Sequence, residues 1–91
     1  MAASPQKQKK HPIRNIMGLE IRRYREKKGW SQSDFARALQ LAGWDVERTV
    51  LTKIELRRRC LTDYELLILS KTLGVTLNDL VPRAPDLKSL L

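Results

Sequence analysis

Cysteine occurs once in these 91 residues, as Cys60, and histidine once, as His11. A lone thiol leaves no disulfide within the chain and no cysteine-based metal site. A lone imidazole leaves no Ser–His–Asp or Cys–His arrangement to assemble. The carboxylates are scattered at expected helix starts, where capping explains them without acid–base chemistry. The expectation is therefore no enzyme, no metal and no cofactor. Long apolar runs are also missing: nothing approaches the roughly 20 residues of a membrane span, and residues 1–14 lack the apolar stretch of a secretory signal. With no disulfide to protect, the expected setting is cytoplasmic and reducing. Internal repeats are absent as well.

What is present is positive charge, unevenly placed. The net charge is +8. Lys7, Lys9, Lys10 and Arg14 stand in the first fourteen residues with no acid among them, whereas residues 61–91 carry three basic and four acidic groups. Such a gradient gives the chain a polyanion-facing half and a half for packing or partners. The length suits one domain with a modest core. The expected division is a disordered basic arm over 1–14, a globular unit over 15–82, and a short tail over 83–91. Two readings of the arm are open, a strand lying along phosphates or a minor groove and a solubilising leader.

The chain is organised around residues 30–55, WSQSDFARALQLAGWDVERTVLTKIE. Ser31 precedes an apolar-periodic run (Phe35, Ala36, Ala38, Leu39, Ala42), with Asp34 placed to complete a capping box. Gly43 breaks the run and Asp45 offers a second start. A helix beginning near Val46 puts Val46, Val50, Leu51 and Ile54 on one side at about 100° per residue. Arg48, Thr49, Thr52 and Lys53 fall on the other side, together with Leu56. That face is short-branched and positive, which suits a DNA major groove. On periodicity alone a solvated face without a partner is equally open.

The flanking segments repeat one grammar. A first helix is expected from about Asn15 to Lys28, with Asn15 as cap, Met17, Ile21 and Tyr24 buried, and Gly29 as the stop. Thr62 and Glu65 form a capping box for a fourth helix that runs to Gly74 and is apolar on most sides, the expected centre of the core. Thr76 and Asp79 repeat the device for a fifth. Trp30–Phe35, Leu61–Leu66 and Val75–Leu80 are the matching hydrophobic staples. Pro82 and Pro85 close the globular part.

With these elements placed, the chain resembles the phage repressor and Cro family of Xre-type helix-turn-helix domains. The residues that carry the resemblance are IRRYREKKGWSQSDFA, VERTVLTKIE and DYELLILSKTLGVTLNDLV. It implies an all-α, five-helix, lambda-repressor-like fold with the third helix in the major groove. It implies base reading by Arg48, Thr49, Thr52 and Lys53, phosphate contact by Gln32 beside the Ser31 cap, and a structural ion pair between Arg25 and Glu55. Two departures stand out. The connection around LQLAGWD is longer than the family's, leaving Trp44 either under the turn or exposed near DNA. Arg57 falls where the family commonly has glycine, so either it is left-handed or the loop differs. The basic run Arg57, Arg58, Arg59 then becomes a phosphate clamp.

The implied function is a sequence-specific transcriptional regulator, a repressor that binds double-stranded DNA as a homodimer. Two alternatives share the fold: an autorepressing antitoxin with a toxin partner, and a protein-interaction adaptor that has lost DNA binding.

Overall fold

The computed structural model describes residues 12–82. It contains α1 (Gly18–Lys27), α2 (Gln32–Leu41), α3 (Arg48–Glu55), α4 (Asp63–Leu73) and a 3-10 turn at Asn78–Leu80. Most of the basic arm and the whole tail over 83–91 lie outside the described residues. The fold is all-helical, and each element contributes to one core made of Ile21, Phe35, Leu39, Leu51, Ile54, Leu69 and Leu80, all without exposure.

The helix starts follow their capping chemistry. Ser31 Oγ accepts the Asp34 amide at 3.0 Å while Asp34 accepts the Ser31 amide at 2.9 Å. That second bond is the main reason the Asp34 carboxyl lies below the usual aspartate range. Thr62 and Glu65 form the same reciprocal pair at 3.1 Å each. The Trp30 and Phe35 rings stack with centroids 5.9 Å apart, closing the staple at the entry to α2. Gly29 and Gly74, both at φ +75°, stop α1 and α4 in the left-handed region.

Four expectations need correction. α1 begins at Gly18, not near Asn15, although Asn15 Oδ1 still accepts the Met17 and Gly18 amides at 3.0 and 2.7 Å. α3 begins at Arg48 after an extended Glu47 without a side-chain cap, so neither Val46 nor Asp45 starts it. Val46 is buried, but as the last turn residue: its amide donates to the Trp44 carbonyl at 2.8 Å and its carbonyl accepts from Gln40 at 2.9 Å. A buried residue just before a helix continues the helical period without belonging to it. The fifth helix is a single 3-10 turn. The Thr76–Asp79 pair forms at 2.9 and 3.1 Å, but Pro82 follows too closely for an α-helix to propagate. Finally, α4 flanks the core: Ile68, Leu69 and Leu73 are buried, while Tyr64 and Leu67 are exposed.

Trp44 lies half-buried under the turn, packed against the core, its amide bonded to the Leu39 carbonyl at 3.0 Å. That bond and the Gln40 side chain order the long connection between α2 and α3.

Candidate nucleic-acid interface

α3 presents a divided surface. Leu51, Ile54 and Glu55 are buried, Val50 and Thr52 are half-buried, and Arg48, Thr49 and Lys53 are exposed. Neither Arg48, Lys53 nor Arg58 enters an ion pair among the described residues. Their charges therefore stand free for an external anion.

The helix is fixed in place by a buried polar network. Arg25 grips Glu55 bidentately, Nε to Oε2 at 2.7 Å and Nη2 to Oε1 at 3.0 Å, and spends Nη1 on the Trp30 carbonyl at 2.7 Å. The two side chains are 9% and 3% exposed, so the pair is shielded from solvent. The hydrogen bonds to Glu55 raise Arg25 above the ordinary guanidinium range against the opposing effect of burial. Gln32 Nε2 donates to Glu55 Oε1 at 3.0 Å, and Gln32 Oε1 accepts from Thr52 Oγ1 at 2.7 Å. An ionised carboxylate only accepts, so the Gln32 amide must face Glu55 with its nitrogen and Thr52 with its oxygen. α1, the start of α2 and the C-terminal half of α3 are thereby bolted together.

This wiring distributes the expected site residues. Arg48, Thr49 and Lys53 share the open face of α3. Thr52 sits at its edge, its hydroxyl proton directed chiefly to Gln32 Oε1 at 2.7 Å with the Arg48 carbonyl at 3.1 Å. Gln32 keeps one free N–H, and Ser31 keeps its hydroxyl proton because its oxygen is the cap acceptor. Beyond α3 the chain turns in a Schellman arrangement: the Arg57 amide donates to the Ile54 carbonyl at 2.9 Å and the Arg58 amide to that of Lys53 at 2.8 Å. Arg57 occupies the left-handed position at φ +64°. Arg59 faces a different partner. It pairs with Glu65 through two bonds of 2.9 and 3.0 Å, bonds the Cys60 carbonyl at 3.0 Å, and lies 6.0 Å from the Trp44 ring centre. Bonding from Arg59 holds Glu65 below the usual glutamate range, against the opposing effect of its burial.

Two positions escaped the sequence reading. Gly18 lies where α1 meets the end of α3 so closely that a Cβ would strike the Ile54 carbonyl oxygen. Asn15 does more than cap: its Nδ2 also reaches the Ile54 and Arg59 carbonyls at 3.1 and 2.8 Å. Neither contact leaves a local signal, because both partners lie about forty residues away in the chain.

The family model described as Helix-turn-helix matches residues 21–80. No curated protein matches the chain. Among solved structures, the crystal structure of the hypothetical transcription factor NHTF from Neisseria is similar in fold. It is 24% identical with a TM-score of 0.66, over 87% of this chain and 85% of that one. Among the described residues no helix is long and apolar enough to cross a membrane. With α2 and α3 wired together through Gln32 as its two-helix unit, the match across residues 21–80 makes the chain a member of the Xre/Cro-like helix-turn-helix family, a DNA-binding transcriptional regulator rather than an enzyme.

Proposed function

We propose that the protein is a sequence-specific repressor that places α3 in the major groove of double-stranded DNA and binds as a homodimer in the cytoplasm. The observation that carries the reading is the exposed face of Arg48, Thr49 and Lys53 on a helix whose other residues are buried or half-buried and bolted to its neighbours. Arg48 suits bidentate contact to guanine O6 and N7, Thr49 and the Thr52 methyl suit thymine, and Lys53 completes the reading edge. Ser31, Gln32, Arg57 and Arg58 take phosphates. Arg59, whose guanidinium is held by Glu65, supports the loop and takes a smaller share. Repression by occupying a promoter needs nothing beyond this surface. Homodimerisation is supported by Tyr64 and Leu67, one turn apart on α4 and 62% and 41% exposed.

Arg48→Ala and Arg58→Ala test the division between reading and positioning. Sites selected from random duplexes supply the preferred sequence. Arg48→Ala is expected to cost about 1–3 kcal/mol on that site, to relax discrimination at one base pair, and to change little on random DNA. Arg58→Ala is expected to weaken all sequences alike and to flatten the dependence of log K on log salt by about one. A uniform loss from Arg48→Ala would show that the reading face has been assigned to the wrong residues.

Arg57 supplies a second test. A left-handed non-glycine residue costs about 1–2 kcal/mol, strain that persists where a side chain is needed at that point. Arg57→Gly is therefore expected to raise Tm by a few degrees while weakening DNA binding. Thermal unfolding and duplex titration on the same sample check both signs. A variant that loses stability along with affinity would mean that the strain is not kept for the guanidinium.

A further inference from the structure

Asn15 lies just ahead of α1 and uses all four of its hydrogen-bonding positions. Its Oδ1 accepts the Met17 and Gly18 amides at 3.0 and 2.7 Å, and its Nδ2 donates to the Ile54 and Arg59 carbonyls at 3.1 and 2.8 Å. The neighbouring Arg14 amide donates to the Arg57 carbonyl at 2.9 Å. Three carbonyls in the stretch from the end of α3 through Arg59 are thus fastened to residues 14 and 15. That stretch contains Arg57, whose left-handed backbone holds only if its surroundings over-determine it. It also contains Arg58, whose charge is free of ion pairs among the described residues.

We infer that Asn15 is a positioning residue for DNA binding: without touching DNA, it holds the Arg57–Arg58 loop in register with α3, so that phosphate contacts and base contacts share one frame. The inference rests on the DNA-binding reading above. The donor half of the carboxamide performs this task, since the acceptor half is occupied with the start of α1. A loop released from Ile54 and Arg59 keeps its charge but spreads over many positions, and the entropy of ordering it exceeds what one phosphate contact returns, so that contact is lost.

The two halves separate in Asn15→Ser, which keeps an oxygen for the α1 amides but has no amide nitrogen and is too short to span both carbonyls. The full chain is titrated with the preferred duplex and with random duplex over a range of salt, at a temperature where circular dichroism shows the variant fully folded. Expected is about fivefold to tenfold weaker binding on both duplexes, a salt slope shallower by about one, and an unchanged ratio between them. A purely structural role would leave the slope of the folded variant at the wild-type value, and that result overturns the inference. So does a collapsed ratio with an unchanged slope, which would place the effect on α3 instead of the loop. If Asn15→Ser is not folded, Asn15→Asp, a strong cap acceptor without donors, replaces it. Pro12→Asp then serves as the reference for the added charge, and equal slopes in those two variants overturn the inference. A wild-type protein with no salt dependence on either duplex removes the DNA-binding reading itself, an outcome visible before any variant is compared.

Discussion

Glu55→Ala is expected to destabilise the protein by about 3–5 kcal/mol, a large part of the roughly 5–15 kcal/mol available to a domain. Deleting the carboxylate leaves the Arg25 guanidinium enclosed with only the Trp30 carbonyl as acceptor, and leaves the inward N–H of Gln32 without a partner. Arg25→Ala should cost less, for a chemical reason. A lone buried carboxylate can take up a proton and become neutral, whereas a guanidinium cannot shed one. Thermal unfolding should show Glu55→Ala lower in Tm by roughly 15 °C or more. A double-mutant cycle should show strong coupling between the two positions. Once folded at low temperature, both variants should keep their base preference better than their stability, because neither residue lies on the exposed face of α3. Equal losses in the two single variants, with no coupling between them, would contradict a buried, mutually dependent pair.

The parts of this fold legible in the sequence are those whose physics is local. Ser31–Asp34 and Thr62–Glu65 are separated by three residues because that is the reach of a capping box, so the starts of α2 and α4 could be read directly. Gly29 and Gly74 mark stops for an equally local reason, the freedom to adopt positive φ. Thr76 and Asp79 mark where local physics stops deciding. Their reciprocal bonds form as written, but capping sets where a helix can begin and says nothing of how far it runs. Val46 shows the same limit for periodicity, which counts burial and cannot tell a buried turn residue from a first helical one.

The candidate site divides along the same line. The open face of α3 was visible as an angular pattern, since Arg48, Thr49 and Lys53 are determined by their own helix. Thr52 falls near the boundary of that face, and its half-burial depends on Gln32, twenty residues earlier. The commitment of Arg59 to Glu65 was likewise hidden within a run of three arginines that look equivalent in sequence. Charge can be counted from a sequence, but whether a charge is free depends on which carboxylate the fold brings to it.

Gly18→Ala should destabilise by about 1–3 kcal/mol, although alanine is the better helix former by about 1 kcal/mol. The sign is informative because the two effects oppose each other. Gly18 is the first residue of α1 and needs no unusual backbone conformation, so an added methyl group would help an unpacked helix. Here it would run into the Ile54 carbonyl oxygen, with Arg57 Cγ at 2.9 Å and the Glu55 carbonyl oxygen at 3.1 Å. The Arg57 side chain can swing aside, but the Ile54 carbonyl is backbone at the end of a helix and already accepts from Arg57 and Asn15. Relief requires α1 and α3 to move apart, which lengthens the Asn15 bonds and disturbs the loop that carries Arg57 and Arg58. The variant should therefore lose DNA affinity on random duplex as well as thermal stability, measured by duplex titration below its Tm and by calorimetry. An alanine variant as stable as the parent, or more stable, would show that the two helices do not approach this closely and that the end of α3 is not held by the start of α1.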